Sequence, residues 1–192
     1  MKALIKNKTK ISNGFLKVYK VEVEQTTPEG KTVNYIREVI ERGHAAAIVL
    51  RDPKTDELVF TKQFRVGSAI NGNSEFLLDV VAGMIDKGDN AEQTVIRESL
   101  EEVGAENIRN VQQISPVFYP SVGGCSETLV LFYGEADLSN LPQFKGEISE
   151  SEFIEVVKMK TDEALSQLHL FPTSASIVGL MWLSTQRQLG II

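Results

Sequence analysis

VVAGMIDKGDNAEQTVIRESLEEVGA, residues 80–105, is the stretch on which the fold turns. Asp89 and Asn90 can cap a helix there, Gly104 can stop it, and no proline interrupts the residues between. Val95, Leu100 and Val103 offer that helix an apolar surface, while Arg97, Glu98, Glu101 and Glu102 crowd its last turns. Glu98 and Glu102 stand four apart and project from one face, with Glu101 one turn from Glu98. Acids in that position repel one another and oppose the negative pole of the helix. Something positive must offset that cost. A hard divalent cation such as Mg2+, which prefers carboxylate oxygens together with water and substrate phosphates, is the economical candidate.

As a pattern, Gly83, an acid at Asp89 and Arg97-Glu98-x-x-Glu101-Glu102-x-Gly104 resemble the Nudix box. The chain departs from it at Asp89, where the family usually has Glu, and at Ser99, where an aliphatic or small residue is usual. A shorter acid at 89 leaves the carboxylate face of the helix intact. Charge alone would equally describe a solvated helix face; the flanking glycines and the arginine at family spacing favour the metal-binding reading.

Outward from this helix, 192 residues suffice for one domain with a real core, or one with a small appendage. Hydrophobic residues at 42% and charged residues at 24% describe a globular chain, not a disordered one. A net charge of -6 argues against a nucleic-acid or anionic-membrane surface, which clustered Lys and Arg would hold. One cysteine, Cys125, excludes an internal disulfide framework and fits a reducing cytoplasm. No apolar run suits a signal peptide or approaches the ~20 residues of a membrane span.

Residues 1–42 read as an appended antiparallel β subdomain: Phe15, Tyr19, Val21 and Val23 largely share one parity before the turn TTPEGK, and VNYIREVI follows. So small a core needs the main body, a partner subunit or both to pack on. Residues 43–192 then form the main domain. AAAIVL, LVFTKQFRV and FLLDVVAG read as strands, the last delivering the chain to the acidic helix, with the polar loop GSAINGNSE between the second and third. Ile108–Tyr119 and Glu127–Glu135 read as strands around the loop PSVGGCS, and residues 136–152 as a long loop of the kind that is usually functional or disordered. FIEVVKM is a last strand. Thr161 can cap a short helix, and Thr173 a longer one with a stripe of Ile177, Leu180, Met181 and Trp182. This is an α+β chain with helices packed on sheet; the Nudix resemblance sharpens it to an α/β/α sandwich around a mixed β-sheet.

Beyond the box the chain is most similar to the bacterial ADP-ribose pyrophosphatases of that superfamily. The resemblance runs from about Phe15 to the last helix through REVIERGHAA (37–46), QFRV (63–66), VVAGMID (80–86), SVGGCSE (121–127), ISESEF (148–153) and ASIVGLMWL (175–183). It implies Mg2+-dependent hydrolysis of the diphosphate of a nucleoside diphosphate sugar, ADP-ribose giving AMP and ribose 5-phosphate, with Mn2+ able to substitute. It assigns metal ligation to Glu98, Glu102 and the carbonyl of Ala82, with Glu101 coordinating or orienting, and it puts the catalytic base at Glu150 and an additional metal ligand at Glu152. Arg97 reads as a structural counter-ion, since buried carboxylates need partners.

For the substrate, Arg65 is the first choice at the diphosphate, because guanidinium binds phosphate oxygens in a bidentate way. Arg37 and Glu38 match family positions near the nucleotide, and Phe15 matches an aromatic that stacks on adenine from the other protomer of a homodimer. Ser121 and Glu127 flank Gly123-Gly124, where backbone can approach a ligand and polar side chains can hold ribose hydroxyls. Relatives often carry Pro just before the two glycines; Val122 stands there instead, in a loop that helps set the substrate. GDP-mannose or another such sugar is the enzymatic rival, since FRV followed by a loop containing NGN resembles a related branch. A nucleotide-sugar sensor that binds without cutting is the rival of another class, opposed by retention of the glutamates. His44 reads as structural, Cys125 lacks a histidine partner for nucleophilic work, and Trp182 reads as core.

Overall fold

Parity decides how the central strands are used. In β4 (His44–Asp52), Ala45, Ala47 and Val49 join one apolar cluster while Ala46, Ile48 and Leu50 join another, so the strand is buried on both faces. The first cluster takes Leu180 and Leu183 from the C-terminal helix and Phe171 from the segment before it; the second takes Val95 and Val103 from the acidic helix. Helices thus cover both faces of one sheet, the α/β/α sandwich expected from the resemblance.

The computed structural model describes residues 1–12 and 14–192, with side chains throughout except at 150. By its internal contacts the chain divides into two units, Met1–His44 with Tyr119–Thr128 and Ala45–Phe118 with Leu129–Ile192.

In the first unit β1 (Lys2–Lys10), β2 (Lys17–Thr26) and β3 (Thr32–Glu41) form an antiparallel sheet in that order. The strand KALIKNKTK is one the alternation did not single out, because its apolar residues Leu4 and Ile5 remain exposed; Phe15 lies in the bend after it, outside any strand. Gly30, at φ 80, closes the TTPEGK turn. The segment 119–128 joins this unit through Ile40, whose N–H donates to the Gly124 carbonyl at 2.9 Å and whose carbonyl accepts from Ser126 N–H at 2.9 Å.

The second unit holds the eight-stranded sheet. Its order is β10 (Phe144–Lys145), β11 (Ile154–Lys160), β5 (Glu57–Phe64), β4, β9 (Thr128–Glu135) and β8 (Arg109–Gln113). The pairs β4–β5, β5–β11 and β8–β9 are antiparallel. β4 and β9 run parallel, since His44 meets Thr128 at one end and Arg51 accepts from Ala136 N–H at the other, which makes the sheet mixed. β4 and β5 pair only from Leu50↔Val59 to Asp52↔Glu57 and then fork. Into the fork go β6 (Phe76–Asp79) on β5 and β7 (Val81–Met84) on β4. FLLDVVAG is therefore two short strands that change partner at Val80, not one. Its second half delivers Ala82 and Gly83 to α2 (Ala91–Val103).

Helix ends follow their residues. Asn90 caps α2 through a capping box with Gln93, and Gly104, at φ 73, ends it. Within α2 the buried side chains are Thr94, Val95, Ser99, Glu102 and Val103; Leu100 is 46% exposed, so it does not belong to the apolar face. Ser99 is fully buried, its hydroxyl donating to the Val95 carbonyl at 2.5 Å, which accommodates the departure from the family pattern. Val66 and the first three residues of GSAINGNSE wind into α1 (Val66–Ala69), and residues 136–152 hold β10 and a 3-10 turn, Ile148–Glu150. Ile108–Tyr119 keeps regular pairing only over β8, with a bridge from Phe118 to Leu129. Thr161 is the first residue of α3 (Thr161–Ser166), not its cap, because its hydroxyl is engaged with Asp56. Thr173 does cap α4 (Ser174–Gln188), accepting from Ser176 N–H at 3.2 Å. The buried stripe of α4 is Ala175, Ser176, Gly179, Leu180 and Leu183; Ile177 and Met181 point outward, and Trp182 is half-buried against Tyr133.

Asp56 binds this sheet to the C-terminal helix. It turns the chain between β4 and β5 at φ 54 and accepts Arg51 Nε at 2.8 Å, Thr161 Oγ1 at 2.9 Å and Arg187 Nη1 at 2.8 Å on Oδ2. Burial pushes its carboxyl up, but hydrogen bonds from Arg187, Arg51 and Thr161 outweigh burial and hold it below the usual range. Asp56→Ala is expected to cost about 1–3 kcal/mol, allowing for a side chain about a third exposed. Because the folded-state pKa is depressed, the ionic share of that stability is present above the unfolded value near 3.8 and is lost as pH falls through the folded one. Urea midpoints of wild type and Asp56→Asn should therefore converge in acid; a constant gap from pH 7 to pH 3 would remove the charge from the account.

Candidate active site

The face of α2 that carries Val95, Ser99 and Val103 into the sheet carries Glu102 with them, leaving it 2% exposed. Its Oε2 accepts the Ala82 backbone N–H at 3.1 Å. Ala82 stands opposite Ala47 in an antiparallel pair, where a residue directs N–H and C=O to the same side. With the N–H turned to Glu102, the Ala82 carbonyl also points away from β4, toward the glutamate.

Glu98 lies one turn before Glu102, against Gly83. A β-carbon at 83 would overlap the Glu98 carboxylate, so this glycine is the space that the glutamate occupies. Burial pushes the Glu102 carboxyl up to about 8; the Ala82 N–H opposes it, the charges of Glu98 and Glu152 add to it, and Arg65 draws it down. Burial also pushes Glu98 up to about 6, against the pull of Arg97 and with the push of Glu101 and Glu152. Glu152, arriving just ahead of β11, is thus an electrostatic neighbour of both helix glutamates.

Arg97 gathers the acids around it. Its guanidinium is 2.7 Å from Glu101, 3.0 Å from Glu98, 3.3 Å from Asp86 and 3.9 Å from Asp89. At that last distance Asp89 stops short of a hydrogen bond, and the buried Arg97 Nε is left without an acceptor.

Among the described residues no three His, Cys, Asp or Glu side chains form a ready cage for an ion. Arg97 holds Glu98 and Glu101, and the Ala82 N–H holds Glu102. The donor set nevertheless fits a hard divalent cation. It offers carboxylate oxygens and a carbonyl, and its glutamates are disfavoured as anions by burial and by one another.

Arg65 follows β5 and is anchored by its backbone, the N–H donating to the Glu75 carbonyl at 2.8 Å and its own carbonyl accepting from Ser68 and Ala69 in α1. Its guanidinium stands 4.0 Å from Asp79 Oδ2. Asp79 is a residue the sequence reading passed over, although an acid inside the apolar run FLLDVV is the signal that marks it. In the 136–152 segment, Glu147 folds back to accept from Ser149 N–H and Oγ, and these bonds hold its carboxyl below the usual range. Glu150 ends the 3-10 turn; its side chain lies outside the described residues.

The remaining expected substrate contacts belong to the first unit. Arg37 lies over the Tyr35 ring at 4.4 Å, Glu38 is exposed on the same strand, and Phe15 is 99% exposed. Ser121 and Glu127 sit in the segment joined to β3 at Ile40, with Glu127 3.7 Å from Arg42. The structure thus gathers Ala82, Glu98, Glu101, Glu102, Glu152 and Arg65 in one unit. Phe15, Arg37, Glu38, Ser121 and Glu127 fall in the other.

Residues 41–173 match the model of the family described as NUDIX domain. The ADP-ribose pyrophosphatase of Escherichia coli K12 is 34% identical over 156 residues, 79% of this chain and 73% of that protein. The GDP-mannose pyrophosphatase of Cronobacter sakazakii is 33% identical over 168 residues, 86% of this chain and 84% of that protein. A crystal structure described as an ADP compounds hydrolase superposes with a TM-score of 0.67 at 18% identity, covering 100% of this chain and 98% of that one, a likeness of fold.

Proposed function

Because the chain belongs to the NUDIX family, we propose that it hydrolyses the diphosphate of a nucleoside diphosphate sugar, with ADP-ribose, cut to AMP and ribose 5-phosphate, as its main substrate. One observation carries the reading: two glutamates on one helix face, pushed up to about 6 and about 8, beside Glu152 and Arg65. Such a concentration of disfavoured negative charge suits a pyrophosphate brought in with cations and suits a merely structural helix poorly.

Glu98, Glu101, Glu102 and Glu152, with the Ala82 carbonyl, would hold Mg2+, or Mn2+ in its place, which neutralises diphosphate charge and acidifies a bound water. Arg65 binds diphosphate oxygens and orients them against the helix. Arg97 keeps Glu98 and Glu101 aimed, acting through them. Glu150 accepts the proton of the attacking water from a segment able to close over the substrate, because a carboxylate bound to a cation has little proton affinity left. Ser121 and Glu127 hold ribose hydroxyls, and Arg37, Glu38 and Phe15 meet the nucleotide.

The N-terminal subdomain, residues 1–42, serves dimerisation and nucleotide contact. Exposed Leu4 and Ile36 share one face of its thin sheet and exposed Ile5 and Val33 the other, and either face offers apolar surface a second copy would cover. One free cysteine and the acidic balance suit a reducing cytoplasm, and no helix among the described residues is long and apolar enough to cross a membrane.

GDP-mannose is the second reading, favoured by a relative at nearly the same identity that covers more of the chain. Initial rates with Mg2+ on ADP-ribose, GDP-mannose and UDP-glucose separate the two, ADP-ribose being expected to give the highest kcat/KM. Binding of any of the three without release of a phosphomonoester would replace the enzyme with a sensor. Light scattering at micromolar concentration should report a dimer, and an active monomer would remove the dimer from the proposal.

A further inference from the structure

Asp79 divides its two oxygens between different tasks. Oδ1 accepts three hydrogen bonds, from Thr173 Oγ1 at 2.5 Å, Ser176 Oγ at 2.7 Å and Val80 N–H at 2.9 Å. Thr173 is the cap of α4 and Ser176 lies in its first turn, so this oxygen is fixed by the start of the helix. Oδ2 is left facing the Arg65 guanidinium at 4.0 Å. The Asp79 side chain is 8% exposed, while the arginine side chain it faces is 40% exposed. Arg65 is also felt as a charge by Glu102.

A long, half-exposed arginine has many accessible rotamers and no fixed direction unless something holds it. Capping α4 does not require an acid at 79, since Thr173 already accepts the Ser176 N–H. We propose that Asp79 is the positioning residue for Arg65. The start of α4 fixes Oδ1, which turns Oδ2 on the guanidinium and holds it in the direction of the helix glutamates, where a diphosphate is met. The inference rests on reading Arg65 as the diphosphate contact, and it adds that the C-terminal helix sets the aim of that contact.

Asp79→Asn tests it, because asparagine keeps an acceptor for Thr173, Ser176 and Val80 and replaces the oxygen facing Arg65 with an uncharged amide NH2 that cannot hold a guanidinium. KM for ADP-ribose is expected to rise about tenfold with kcat within about twofold and the thermal midpoint not lowered. In an Arg65→Ala background the same change should leave KM where Arg65→Ala alone put it. Calorimetry with inorganic pyrophosphate and Mg2+ repeats the cycle without turnover: Asp79→Asn should weaken binding about tenfold only when Arg65 is present. A lowered midpoint with unchanged KM and pyrophosphate affinity would make Asp79 a fold residue and overturn the proposal, as would an equal loss in both backgrounds. A wild type inert on ADP-ribose but showing the coupling with pyrophosphate would refute the assigned substrate and keep Asp79 in its role.

Discussion

Glu102→Gln is expected to lower kcat on ADP-ribose about a thousandfold, a loss of about 4 kcal/mol of transition-state stabilisation. The carboxamide is nearly isosteric, and its oxygen still accepts the Ala82 N–H, so the backbone of β7 has no reason to move. What disappears is the one charge of the helix face that is almost wholly withdrawn from water. The same substitution should stabilise the metal-free protein. Burial raises the folded-state pKa of Glu102 to about 8, above its ordinary 4.5. A carboxyl shifted that way contributes stability in full below the unfolded value, and the contribution is lost as pH rises through the folded one. Glutamine loses nothing over that window. In EDTA, thermal midpoints of variant and wild type should agree near pH 4.5 and separate toward pH 8 in favour of the variant, by about 2–4 °C for each kcal/mol of relieved charge burial. A variant that keeps wild-type turnover with Mg2+ removes Glu102 from the metal site. One that melts below wild type at pH 8 removes the account of its burial.

Glu150→Gln should leave KM for ADP-ribose within about twofold and lower kcat by on the order of 10²–10⁴, the usual worth of a positioned base. The contrast with Glu102 is diagnostic, since loss of a base spares metal binding. Titrating Mg2+ against activity should give the wild-type midpoint in Glu150→Gln and a much higher one in Glu102→Gln. Unchanged turnover in Glu150→Gln would move the base to Glu147 or Glu152. Of these, Glu147 is the poorer candidate, because its bonds to Ser149 hold it in the ionised form and weaken its hold on a proton. Glu152 already presses electrostatically on Glu98 and Glu102.

Much of the fold was legible because local chemistry and tertiary need agree. Asn90 and Gly104 end α2 where their side-chain and backbone preferences put the ends, and the apolar run of β4 states burial on both faces. Periodicity failed where surface is apolar for another reason. Leu100, Ile177 and Met181 carry the residue type of a core face and sit outside it, and β1 pairs through its backbone while its side chains stay exposed. The split of FLLDVVAG at Val80 was invisible locally, because it answers to the fork between β4 and β5.

By itself the sequence determined that a helix with three glutamates near its end exists, where it begins and stops, and which chemistry those side chains suit, since caps, spacing and charge are properties of neighbours along the chain. Only the tertiary structure decided that Glu102 is buried and bonded to Ala82, that Gly83 is the room for Glu98, and that Asp79 faces Arg65 from the foot of α4. Each of these depends on segments brought together by the forked sheet, and burial, with the shifts it imposes on a carboxylate, is set by whatever else the fold packs around it.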